Sequence, residues 1–316
     1  MPNRSHEIGG YLELEKNRLP LLHEGALALN CGRNALRYLL EQRQISALLL
    51  PSFLCDTVKD VCRDIACRFY AVGVDFLPRI PDPREEEWVY VVNFYGQLTP
   101  ETLSGLRQRF PRLIVDNAQA YFEPPLPGTD TLYTCRKFFG VPDGAFLYTD
   151  APVRPLEKCE SYPYMRHILG RFERSGREFF ADSTENNDRF ASESVMAMSR
   201  LTDNLLRGID YAYAERQRRE NFLALASLLS DRNLLSVREV PGPFAYPLML
   251  ENGMQLKKRL AEENIFIPTL WPELSDTLPA ESTERRLAEN ILPLPVDQRY
   301  TDKDMHAMAE AIIKLL

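Results

Sequence analysis

The sequence predicts an α/β protein: a mainly parallel sheet covered on both faces by helices, in a large three-layer domain, with a smaller α+β domain after it. Three observations carry this expectation. Short apolar runs alternate with helical patterns from about residue 26 to 150, as they do where crossover helices connect parallel strands. The runs at 47–50 and 88–94 are nearly continuous in apolar residues, which marks strands buried on both faces. After 150 the character changes to a polar, proline-bearing excursion over 151–190, then two helical patterns and a compact mixed unit. At 316 residues the chain fits about two domains, and we place them at 1–230 and 231–316.

Each element has its own signal. Ala26-Leu27 and the apolar residues of 35–40, spaced three and four apart, read as a helix. Residues 47–50 form a strand stopped by Pro51-Ser52; 56–63 are helical and 68–72 a strand. The strand at 88–94 ends in Tyr95-Gly96. Thr99-Pro100-Glu101 starts a helix with a capping hydroxyl, proline where a missing N–H is no loss, and an acid in the first turn. Residues 113–116 are a strand ending on the carboxylate of Asp116. Strands at 131–134 and 145–148 flank a turn at Pro142-Asp143-Gly144. Helices follow at 192–206 and 211–229, where Arg216-Gln217-Arg218-Arg219 reads as a solvated face. The small domain holds strands near 236–240 and 244–250 and helices at 254–263 and 302–315.

Composition excludes several classes of function. Lys plus Arg is 38 against 45 for Asp plus Glu, a net charge of −7, which is the wrong sign for general nucleic-acid binding. No apolar run approaches the roughly 20 residues of a membrane span, and the polar opening residues give no secretory leader, so a cytoplasmic location is expected. The six cysteines (Cys31, Cys55, Cys62, Cys67, Cys135, Cys159) form no Cys-x-x-Cys pair, so free thiols are expected and no metal site is. The four histidines are scattered and receive no role.

Three segments carry chemistry. Asn30-Cys31-Gly32-Arg33 leads into a helix, and a small residue at a helix start makes an anion cradle to which Arg33 adds a charge-assisted contact; an ordinary capped helix reads the same way. Asp116 ends a strand where a buried carboxylate needs a cationic partner, and it serves equally as a turn cap. Lys137, beside Phe138 and Phe139, is partly shielded, and desolvation turns a lysine into a nucleophile for carbonyls; a lone lysine is more often a surface residue.

Together, in this order, the Gly32-Arg33 helix start, Pro51-Ser52, Tyr95-Gly96, Asp116-x-x-Gln119 and Lys137 followed by Asp143-Gly144 resemble the DegT/DnrJ/StrS family of sugar aminotransferases. These are fold-type I enzymes dependent on pyridoxal 5′-phosphate (PLP). The resemblance runs from about residue 25 to the end, including Trp271-Pro272 and Leu292-Pro293-Leu294-Pro295. It implies that Lys137 holds the cofactor as a Schiff base and moves protons, and that Asp116 pairs with the pyridine nitrogen. It also implies that Gln119 lies near the phenolic oxygen and that the amides of Gly32 and Arg33 hold the phosphate. It implies a transfer of an amino group from glutamate to a nucleotide-linked keto sugar, as in amino-sugar or cell-surface polysaccharide biosynthesis, in a homodimer with a shared active site. Cys55 stands where the family places a stacking aromatic ring. Leu132 stands where it has a phosphate-binding serine, leaving Thr134 as the nearest hydroxyl; Asn186 and Asn187 are candidates for the asparagine a neighbouring subunit supplies. Those departures leave two alternatives, a non-catalytic ligand-binding or regulatory protein and a PLP enzyme of different reaction. Against a sugar dehydratase stands Lys137, where histidine is expected.

Overall fold

The computed structural model describes residues 8–316; the polar opening, with His6, lies outside the described residues. Eight strands form one sheet: β1 (Leu27–Leu29), β2 (Ala47–Pro51), β3 (Ala66–Val72), β4 (Pro78–Arg79), β5 (Trp88–Val92), β6 (Leu113–Asp116), β7 (Asp130–Thr134) and β8 (Ala145–Tyr148). Their spatial order is β1-β8-β7-β6-β5-β2-β3-β4. The central five run parallel, whereas β8 runs against β7, and β1 and β4 pair antiparallel at the two borders. A second sheet pairs β9 (Ala245–Met249) with β10 (Ile291–Pro295).

Helices α1 (Gly32–Gln42), α2 (Asp56–Val61) and α3 (Pro100–Arg109) lie between the early strands. The excursion carries α4 (Arg166–Glu173) and α5 (Phe180–Asp188), followed by α6 (Arg200–Leu206) and the long α7 (Tyr211–Leu229). The C-terminal part adds α8 (Gly253–Glu262), α9 (Leu274–Thr277), α10 (Thr283–Asn290) and α11 (Asp302–Leu315). None of these helices is long and apolar enough to cross a membrane.

Strand alternation explains why the large sheet is covered twice. Successive side chains of a strand point to opposite faces, so β7 sends Leu132 into one core and Tyr133 into the other, and β8 does the same with Leu147 and Phe146. One core packs Ala35, Leu36 and Leu39 of α1 against the sheet. The other is aromatic, built on Tyr121, Tyr133, Phe138 and Phe146. A third core joins Phe222, Leu225 and Leu229 of α7 to β9, β10, α8 and α11. Each such fully buried apolar side chain contributes about 1.5–3 kcal/mol.

The structure corrects the sequence reading in four places. Leu27 belongs to β1, not to a helix, because β8 supplies its hydrogen-bonding partner, and α1 starts only after Cys31, whose Sγ accepts from Asn34 N. The helix expected at 192–206 is confined to Arg200–Leu206, since Ser199 caps it. The strand expected at 236–240 is absent: Gln97 bonds both main-chain groups of Arg238, at 2.8 and 3.1 Å, and takes the place of a strand partner. Arg218 is buried rather than solvated. The sequence reading also passed over β4, β10, α4, α5, α9 and α10. All six cysteines are free thiols.

Candidate active site

The carboxyl ends of the parallel strands converge as the fold class requires. Asn93, just past β5, donates to Asn117 Oδ1 (3.1 Å) just past β6, and its own Oδ1 accepts from Leu98 N (2.9 Å). Tyr95 takes the left-handed backbone (φ 52°), uncommon for a residue with a Cβ, and its N–H is held by Gln119 Oε1 at 2.9 Å. Gln119 is thus an anchor of this loop through its oxygen; among the described residues its Nε2 has no hydrogen-bond acceptor. Trp271 packs edge-on against Phe53 (4.5 Å between centroids) and Phe94 (5.7 Å), and Glu273 accepts from Asp56 N at the start of α2, beside Cys55.

Asp116 is the buried anion of this cleft. Tyr90 Oη donates to its Oδ2 (2.6 Å) and Ala118 N to its Oδ1 (2.7 Å). Burial raises the proton affinity of the carboxyl, while Lys137, Tyr90 and Ala118 N oppose that rise. Tyr90 escaped the sequence reading because only the β5–β6 register, which sets Val92 beside Asp116, brings it to the carboxylate.

Lys137 lies in the connection from β7 to β8, where Phe138 N and Phe139 N turn back onto Cys135 O. Gly144 closes that connection at φ 114°, and a Cβ there would lie 3.0 Å from Thr202 Cγ2 and 3.1 Å from Cys135 Sγ, so glycine is required. The lysine is both deep and reachable. Its side chain is exposed to solvent, while the amine itself lies beside the Phe244 ring and within the field of Asp116. The loss of bulk water lowers its proton affinity below that of an ordinary lysine; Asp116 and Cys55 oppose this and Arg136 adds to it. Its Nζ lies 5.8 Å from the Phe244 ring.

The start of α1 is flanked by two arginines. Arg33 Nη2 donates to Asn187 O (2.9 Å) and Oδ1 (3.1 Å), and Arg136 reaches the same Oδ1 at 3.4 Å. Both guanidiniums lie near the Phe190 ring, and among the described residues neither has a carboxylate partner. Burial pushes the Arg136 guanidinium down to about 10, Cys31 opposing and Arg33 adding to the shift. Thr134 lies across from Gly32, its Cβ 3.7 Å from where a Gly32 Cβ would stand, and its hydroxyl has no partner among the described residues. Leu132 is buried in the core under β7 and supplies no ligand. Arg136 was missed in the sequence, although a cation directly before Lys137 with no nearby acid was the available signal.

Other candidate residues serve the scaffold. Asn186 is buried and donates to Pro142 O (2.9 Å) of its own chain, while Asn187 covers the arginines. Cys55 Sγ sits 2.9 Å from Thr57 Oγ1 at the start of α2. Asp143 is a fully buried acceptor for Ser161 Oγ (2.9 Å), Ser199 N (2.8 Å), Ser199 Oγ (2.7 Å) and Thr202 Oγ1. His23 is a core residue, its pKa lowered to about 4 by burial, with Nε2 on Tyr121 O. Among the described residues no cluster of side chains is fit to hold a metal ion.

No protein-family model matches the chain, and no curated protein sequence does. Solved structures do match it. A DegT/DnrJ/EryC1/StrS aminotransferase from Brucella abortus superposes with a TM-score of 0.63 over 92% of this chain and 86% of its own, at 16% identity. DesV from S. venezuelae, solved with a ketimine intermediate, gives 0.63 over 92% and 84% at 15% identity. The sugar aminotransferase CalS13 from Micromonospora echinospora gives 0.62 over 92% and 87% at 14%. The fold is therefore the fold-type I arrangement of these aminotransferases, as the resemblance implied.

Proposed function

We propose that the protein is a PLP-dependent aminotransferase that passes an amino group from glutamate to a keto sugar, nucleotide-linked. The observation that carries this reading is the pairing of a reachable Lys137, its proton affinity lowered by loss of water, with the buried carboxyl of Asp116 in one cleft. Structures that share the fold support it: one is solved with a ketimine intermediate and another in PLP and PMP forms. The residues present suit the cofactor. Arg33, Arg136 and the α1 start offer cationic groups without carboxylates, Thr134 an unpartnered hydroxyl, and Gln119 a spare N–H.

When bound, PLP supplies an electron sink beside the amine being transferred. In this reading Lys137 Nζ holds the cofactor and moves the proton, and its lowered proton affinity suits both tasks at neutral pH. Asp116 would keep the pyridine nitrogen protonated. Gly32 and Arg33, with Arg136 and Thr134, would hold the phosphate, which requires Asn187 to yield its place on the arginines. Gln119 Nε2 would be the donor for the phenolic oxygen, and Cys55 would border the ring without the stacking an aromatic residue gives. A homodimer would cover the exposed Tyr11, Leu12, Phe172 and Phe180, large apolar side chains that a second copy removes from water.

Two expected results follow from this site. Arg33→Met and Arg136→Met each lose a charge-assisted contact of about 1.5–3 kcal/mol, so affinity for PLP falls about ten- to a hundredfold in a fluorescence titration, while affinity for pyridoxal, which lacks the phosphate, is unchanged. Equal losses for both ligands would refute the assignment. Asp116→Asn lowers amino transfer by about a hundredfold or more. The folded carboxyl binds its proton more tightly than the unfolded one, so wild-type stability falls as pH rises from the ordinary carboxylate pKa through the folded value. The asparagine variant loses that fall and gains on wild type in urea titrations as the pH rises above the ordinary carboxylate range. The function itself is tested by mixing the protein with PLP, glutamate and nucleotide keto sugars and following the visible spectrum and the amino-sugar product.

A further inference from the structure

Arg218 is among the largest fully buried side chains of the protein, 1% exposed, and it sits midway along α7. Nε donates to Gln298 Oε1 (2.8 Å), Nη1 to Pro243 O (3.0 Å) and Nη2 to Phe138 O (2.9 Å). The guanidinium lies 4.8 Å from the Phe138 ring centroid, and Gln298 Nε2 donates to the same Phe138 carbonyl at 3.1 Å. Among the described residues no carboxylate forms an ion pair with Arg218; Asp297, the nearest source of negative charge, is bonded through both oxygens to Arg299. A buried cation held by neutral oxygens gains little for stability. What the guanidinium provides is a rigid planar fork that reaches three segments at once, which a lysine ammonium does not reproduce.

Two of those three contacts flank Lys137. Phe138 is the next residue, and Pro243 precedes Phe244, whose ring faces Lys137 Nζ. The geometry points to Arg218, seconded by Gln298, as the positioning residue of Lys137: it fixes the main chain on one side of the amine and the aromatic wall on the other, and so sets how far protein replaces water around the amine. This rests on Lys137 being the reactive amine proposed above.

The experiment labels the whole protein with trinitrobenzenesulfonate across pH 6 to 11 and reads the Lys137 peptide by mass spectrometry, a measurement independent of cofactor and turnover. Arg218→Lys and Gln298→Ala are compared with Asn221→Ala. Asn221 lies one turn further along α7 and anchors the same C-terminal loop through Val296 O, Asp297 O and Tyr300 O, but touches neither Phe138 nor Pro243. In Arg218→Lys and Gln298→Ala the midpoint of labelling moves up toward that of a free lysine, and labelling at pH 8 slows about three- to tenfold; Asn221→Ala leaves the midpoint in place. An unmoved midpoint in both variants, or an equal shift in Asn221→Ala, overturns the inference. If Arg218→Lys does not fold, Gln298→Ala decides alone. A separate spectrum of wild type with PLP distinguishes the two readings: no Lys137-dependent band removes the proposed function, whereas a normal band with unmoved midpoints removes only the role of Arg218.

Discussion

Lys137→Ala protein mixed with PLP is expected to develop none of the visible absorption that wild type shows, and its amino transfer from glutamate to fall about a thousandfold or more. The size of the effect follows from the double use of one atom. In the proposed reading Nζ would hold the cofactor and would also carry the proton, so alanine removes both functions at once. Lys257, a buried lysine, is lowered to about 8 by burial alone, but it sits on α8, in the part of the chain built around the third core. Added methylamine restores a proton carrier without a tether and should recover a small fraction of the rate. A Lys137→Ala protein that keeps the band and turns over within tenfold of wild type would end the assignment of Lys137 as the reactive amine, whereas a wild type that shows neither band nor turnover would leave the ligand-binding alternative in its place.

Asp143→Ala is expected to cost about 3–5 kcal/mol of folding stability, read as a lower midpoint in chemical denaturation. The carboxylate collects one main-chain N–H and three hydroxyls from Ser161, Ser199 and Thr202, and removing it strands several buried donors, each worth about 1–3 kcal/mol when unsatisfied. The hydroxyls of Ser161 and Ser199, 2.6 Å apart, recover part of the loss by bonding each other. Asp143→Asn keeps one accepting oxygen and should fall between alanine and wild type. A loss under about 1 kcal/mol for alanine would show that the cluster rearranges freely. Because Asp143 follows Lys137 by six residues and ties its connection to the start of α6, this variant also tests how far Lys137 depends on its support.

What was legible in the sequence was the periodic part of the fold. The continuous apolar strands β2, β5 and β6, the capped start of α3 at Thr99 and the whole of α7 carry signals within a few residues of themselves. Lys137 and Asp116 were legible as a spaced set. The features that were not legible depend on pairs distant in the chain. Leu27 needs β8 to be a strand, and residues 236–240 need Gln97, 141 positions away from Arg238, to be anything else. Tyr90 becomes part of the site only through register. Arg218 looks like its solvated neighbours Arg216 and Arg219 until the fold brings Phe138 and Pro243 to it, because burial of a helix face is decided by what packs there and not by local charge.

The two borders of the large sheet have a bearing on how the protein behaves in a crowded solution. An unpaired strand edge recruits strands from other chains and seeds aggregation. Here β4 has two residues, one of them a proline that cannot donate. At the opposite border β1 has three, and its outer side is already taken: Met198 N bonds Ala28 O, Asn30 N bonds Met196 O, and Leu29 bridges Ala197. The segment that failed to become a helix at 192–199 thus acts as a cover strip, and an eight-stranded sheet is left with almost no free ladder on which a foreign strand can grow.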